Sequence, residues 1–186
     1  MPPSAAKIRF QATIHRPKVH GGPATWSFLR LPQEASDLLP ARAMVSVEGT
    51  FDGTPFAATL EPDGAGGHWL RVKPELQARV KAKVGDTVQL EIAPALVEPE
   101  PEVPPFIQAT LDAATPKARQ TWAAITAMAR RDWIFWIESA KKAETRAKRL
   151  DVALSKLSAG NRRPCCFDRS GMFDKSLSCP VEDDGR

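Results

Sequence analysis

The side chains best suited to chemistry lie near the end of the sequence, in Asn161-Arg162-Arg163-Pro164-Cys165-Cys166-Phe167-Asp168-Arg169. Cationic neighbours stabilise a thiolate, so the three arginines around Cys165 and Cys166 mark these as a candidate thiol-redox pair. Closing a vicinal disulfide would require the backbone to adjust around a small ring, which makes reduced thiols the expected resting form. A structural zinc site takes about four ligands. The segment offers Cys165, Cys166 and Cys179 with no histidine after His68, so neither a metal nor a cofactor is expected. His15, His20 and His68 form no His-x-x-x-His pair and are expected at surface or strand-end positions. The phosphate-loop pattern, the Gly-x-Ser-x-Gly elbow and Gly-x-Gly-x-x-Gly are all missing, and no pair of carboxylates stands out. No catalytic residue is assigned, and a non-enzymatic protein is expected.

The second kind of chemistry is charge. The 186 residues carry 26 basic and 22 acidic side chains, a net charge of +4. Residues 1–97 hold 11 bases and 9 acids, and residues 106–163 hold 12 bases and 5 acids. The helical spacing of Lys142, Arg146 and Arg149 puts them on one stripe, with Lys141 alongside; these four are the candidate binding residues. Glu144 and Lys148 can pair four residues apart in the favourable order. A solvated basic face is the plainer reading. The sharper one is a site for an acidic protein surface or anionic ligand, with nucleic acid as the alternative partner. Glu98, Glu100 and Glu102 could fold back on Arg146 and Arg149 and mask them.

Two kinds of element must position these groups. From Lys7 to His15, Ile8, Phe10, Ala12 and Ile14 alternate with polar residues, the pattern of a strand with one apolar face. Further strands are expected around Trp26–Leu31, over Met44–Phe51, Pro55–Leu60 and His68–Val72, and through Val88, Leu90 and Ile92. Asp52-Gly53 supplies a hairpin turn. Pro74 opens a short helix expected over Glu75–Lys83. About six short strands and one short helix fit a small β-barrel, which removes exposed sheet edges.

Beyond the Glu-Pro run the periodicity becomes helical. Thr115-Pro116 reads as an N-cap followed by proline at the first helical position, and Trp122, Ile125 and Ala129 follow at helical spacing. Asp132 is expected to restart or cap the next helix, on which Trp133, Trp136, Ile137 and Ala140 share an apolar face. The last helix carries Ala147, Leu150, Leu154 and Leu157 on one stripe and stops at Gly160. The expected fold is α+β, a β-barrel and then a bundle of about three helices. Its divisions are residues 1–97 for the barrel, 98–105 for a Glu/Pro linker, 106–160 for the helices and 161–186 for a mobile tail.

Composition narrows the class further. The chain is 42% hydrophobic and 26% charged, with 17 prolines and no tyrosine. Its longest apolar run, Trp133 to Ile137, is far below the roughly 18 to 20 residues of a membrane-spanning helix. Three cysteines cannot close a disulfide scaffold, and the first residues lack an apolar signal-like stretch, so a cytoplasmic protein is expected.

Lys83-Val84-Gly85-Asp86-Thr87-Val88 resembles the Gly-Asp turn of cradle-loop barrels, some of which bind DNA; a plain turn is the alternative. Together with Val47-Glu48-Gly49-Thr50-Phe51-Asp52-Gly53, Pro55-Phe56 and Gly67-His68-Trp69-Leu70, it also resembles a bacterial barrel module of unknown function. Trp136-Ile137, Ala140-Lys141, Glu144-Thr145-Arg146, Arg149-Leu150 and Gly160 resemble the helical domain of the bacteriocin-protection, YdeI/OmpD-associated family. Ala143 departs from that pattern, in which proline is frequent. The resemblance covers about residues 7 to 169. It implies a barrel ahead of a helical bundle, no recognised catalytic machinery, and a role in resisting bacteriocin or antimicrobial-peptide stress.

Overall fold

The computed structural model describes residues 7–165, 168–172 and 177–183. They fall into two units, one built from the chain up to Leu96 together with the chain from Asp168 onward, the other spanning Val97–Phe167.

The first unit contains β1 (Ile8–Thr13), β2 (Ser27–Arg30), α1 (Gln33–Asp37), β3 (Val45–Phe51), β4 (Thr54–Pro62), β5 (His68–Val72), α2 (Pro74–Val80) and β6 (Thr87–Pro94). The six strands form one antiparallel order, β1-β6-β3-β4-β5-β2. His15 and Phe28 exchange backbone hydrogen bonds of 2.7 and 2.9 Å, which brings the two outer strands together and curls the sheet towards a barrel. The alternating residues do what their spacing requires: Ile8, Ala12 and Ile14 are buried with Val47, Phe51, Leu60, Leu70, Leu90 and Ile92. Asp52 and Gly53 both take positive φ, 45° and 77°, the geometry whose twist suits a two-residue hairpin. In β3, a Cβ on Gly49 would lie 1.9 Å from the Glu91 carbonyl oxygen, so only glycine lets β6 approach this closely.

The barrel has two short helices where one was expected. α1 is a five-residue turn after Pro32, too short to show a helical period, although it buries Ala35 and Ser36. α2 stops at Val80, earlier than Lys83, because Lys81 takes the left-handed conformation at φ 57°. The Gly-Asp turn is structural: the Asp86 carboxylate accepts from the Lys83 amide at 2.8 Å, and Gly85 donates to the Ile14 carbonyl at 2.8 Å.

The second unit holds α3 (Pro105–Asp112), α4 (Pro116–Ala124), α5 (Ala127–Glu138) and α6 (Ala143–Ser158), four helices where about three were expected. α3 begins with proline at its first turn and so looks, in sequence, like the end of the Glu-Pro run. Thr115 caps α4 as expected, accepting from the Ala118 amide at 3.2 Å. Ile125 is extended at ψ 159°, which separates α4 from α5. The cap of α5 is Thr126, accepting from the Ala129 amide, and the expected role of Asp132 is overturned: Asp132 lies inside α5 and is buried. The core gathers Ile107, Leu111, Ile125, Trp133, Ile137, Leu150 and Leu157, with Trp133 fully enclosed. No helix of the described residues is long and apolar enough to cross a membrane.

Two segments behave differently from a linker and a tail. Glu98 pairs with Arg131 and Glu100 with Arg130, so the acidic segment is strapped to the helical unit. At the other end, Lys18 donates to Val181 at 2.7 Å, Asp183 to Arg16 at 2.8 Å and Cys179 to Asp63 at 3.4 Å, all through backbone groups. The described residues 177–183 therefore lie along the barrel, with Leu177 buried.

Candidate functional site

The four residues singled out by charge meet at the corner between α5 and α6, in two distinct roles. The buried stripe of α6 runs through Leu150, Ala153 and Leu157, with Leu154 partly buried, whereas Ala147 is exposed. Arg146 and Arg149 precede Leu150 and Ala153 by one turn, so they extend this stripe and do not stand on a separate basic face. Both are half-buried. Arg149 donates to the Trp136 carbonyl at 2.6 Å and the Ser139 hydroxyl at 2.8 Å, and its guanidinium lies 5.3 Å from the Trp136 ring centre. Arg146 donates to the Ala140 carbonyl at 3.3 Å, while its Nε is buried without a partner among the described residues. The two cations thus close the C-terminal turn of α5, where unsatisfied carbonyls and the helix dipole favour positive charge. They fix the corner without a proline at position 143.

Lys141 and Lys142 are exposed and have no ion pair among the described residues. Lys142 is the N-cap of α6, with extended φ −96° and ψ 137°, and provides no side-chain cap for the first-turn amides. Glu144 in that turn is held by Lys148 at 2.7 Å. The corner combines an uncapped helix N-terminus with two open ammonium groups, an arrangement suited to an anion. Glu98 and Glu100, two of the three acids expected to fold back on Arg146 and Arg149, pair with Arg131 and Arg130. Pattern reasoning missed the acceptors of the clamp, the carbonyls of Trp136 and Ala140. Arginines one turn beyond a helix break are the signal that points to them.

The remaining candidates do not converge. Cys165 is exposed in the helical unit, and Cys166 lies outside the described residues. Cys179 is a free thiol on the barrel, receiving a hydrogen bond from Arg30 Nε at 3.1 Å, and burial pushes its pKa up despite that donor. Among the described residues no three His, Cys, Asp or Glu side chains are grouped to hold a metal ion. His15 lies 3.3 Å from Glu182. His68 begins β5, the strand-end alternative, and is buried there; its Nε2 lies 3.0 Å from the Ala43 carbonyl, and burial lowers its pKa.

Comparison with known families divides the chain where the fold does. Residues 10–92 match the model for Domain of unknown function (DUF1905). Residues 100–160 match the model described as Bacteriocin-protection, YdeI or OmpD-Associated. No curated protein matches the chain. The first match covers β2 to β5 with most of β1 and β6, and the second contains α3 to α6. The chain is thus similar to DUF1905 over its barrel-like module and to the Bacteriocin-protection, YdeI or OmpD-Associated model over its helices.

Proposed function

We propose that the protein is a non-enzymatic cytosolic interaction protein in bacteriocin protection, and that its helical domain engages an acidic protein surface or anionic ligand at the α5–α6 corner. The name of the family matched by residues 100–160 supports the bacteriocin link. An odd number of cysteines supports a reducing compartment. The observation that carries the binding role is the uncapped start of α6 beside exposed Lys141 and Lys142. In this reading Arg146 and Arg149 are positioning residues: they hold the corner through α5 carbonyls, and the lysines and helix amides meet the partner.

The test is complementation of a deletion strain challenged with bacteriocin. The wild-type gene restores survival, while Lys141→Glu combined with Lys142→Glu does not, with equal protein levels and an unchanged circular dichroism spectrum. Full protection by that double variant overturns the site. Retardation of a duplex oligonucleotide, with log K falling by about 0.9 per phosphate contact against log salt, would transfer the assignment to nucleic acid.

A further inference from the structure

The barrel carries its own concentration of charge, hidden when residues 1–97 are counted together. Arg71, Lys73, Arg79, Lys81 and Lys83 face one acid, Glu75, within residues 71–83, and all five bases are exposed. Lys73 and Arg79 have no ion pair among the described residues. The Arg71 guanidinium lies 3.9 Å from the Trp26 ring centre, so that ring face is already covered.

Three of these cations, together with Glu75, line a cavity of about 200 Å³ between β4, β5 and α2, so its rim keeps a positive excess. Its apolar lining includes Phe56, Ala58 and Leu76, which are partly buried and packed against the barrel core. Ligand pockets for whole small molecules usually enclose about 300 to 1,000 Å³, so this one fits a single side-chain-sized group. An apolar recess ringed by Arg71, Lys73 and Arg79 selects a group of that size flanked by negative charge. Nucleic-acid strands are usually held by open aromatic faces. Here Trp26 lies under Arg71 and Phe56 packs edge-on against Phe51, with ring centres 5.9 Å apart.

We propose that this pocket is a docking site for an acidic peptide segment of a partner protein, seating one apolar side chain against Phe56 and Leu76 while Lys73 and Arg79 pair with flanking carboxylates. The site lies within the barrel unit and is independent of the α5–α6 corner. It gives the module of unknown function a binding role of its own.

Fluorescence anisotropy on the full chain tests this with three labelled probes: the peptide Asp-Glu-Asp-Phe-Asp-Glu-Asp, its counterpart with Ala for Phe, and a short oligothymidylate. Burial of the ring is expected to make the Phe peptide bind roughly tenfold tighter than the Ala peptide. Lys73→Glu with Arg79→Glu, both at exposed positions, is expected to weaken the Phe peptide by at least about tenfold through charge repulsion. The preference for Phe over Ala is expected to vanish in the Lys73→Glu, Arg79→Glu variant, which separates this pocket from the corner, where an acidic peptide is held by charge without an apolar recess. Equal affinity for the two peptides, tighter binding of oligothymidylate, or undiminished binding by the Lys73/Arg79 variant would each overturn the proposal.

Discussion

Arg149 places one nitrogen within hydrogen-bond distance of both the Trp136 carbonyl and the Ser139 hydroxyl while its plane lies beside the Trp136 ring. Lysine carries the same charge without the flat, forked donor set. Arg149→Ala is therefore expected to destabilise the helical domain by about 1.5 to 3 kcal/mol, the range for hydrogen bonds to charged groups, and Arg149→Lys to recover only part of that. Urea denaturation followed by far-ultraviolet circular dichroism measures both. A loss below about 0.5 kcal/mol for the alanine variant, the size of an ordinary surface substitution, would show that the clamp is dispensable. Charge counting alone cannot separate such an arginine from Lys141 or Lys142, because a cation bound to carbonyls and a cation open to solvent add equally to the net charge. The distinction depends on which face of α6 each residue occupies, and assigning Ala147 to the buried stripe was enough to turn that face the wrong way.

At the scale of elements, legibility followed the strength of the local pattern. β1 was readable because period-two alternation runs through Ile8, Phe10, Ala12 and Ile14, and the β3–β4 hairpin because Asp-Gly supplies two positive φ values. α1 had no period to read, and the prolines that start α3 also look like linker. Thr126 outcompeted Asp132 as a cap because its hydroxyl reaches the Ala129 amide, whereas Asp132 falls a turn and a half inside the helix. The pairing of Glu98 and Glu100 with Arg131 and Arg130 joins segments some thirty residues apart, beyond any local pattern. Gly49 shows the same limit. A glycine in a strand signals close approach, but only the sheet register reveals that its neighbour is the Glu91 carbonyl. Gly49→Ala is expected to destabilise the barrel by about 1 to 3 kcal/mol, as overpacking does, with little effect on the helices. Thermal melts followed separately by amide resonances of each unit would show it, and an unchanged barrel transition would refute the close-approach argument.

For the whole molecule, composition marks out the Glu-Pro run, whereas the return of the chain to the barrel has no such mark. Nothing in the residues after Asp168 has a strong period, and their attachment rests on isolated backbone hydrogen bonds and on Leu177. Ending the chain after Cys165 removes these contacts. It is expected to lower barrel stability by about 2 kcal/mol, the worth of one buried leucine, and to leave the helical transition in place. Calorimetry that found both transitions unchanged would mean that residues 168–183 add nothing to the barrel.

That return also sets an order of events during synthesis. Val97–Phe167 separates the last strand from the segment that lies along the barrel. At about 5 to 20 residues per second, translating this stretch takes on the order of 4 to 14 s. For that interval the nascent barrel has all six strands but lacks Leu177 and the backbone partners of Arg16, Lys18 and Asp63. The helices are therefore made while their neighbour is still incomplete, and a ribosome that pauses within α6 prolongs the barrel's exposure to proteases and chaperones.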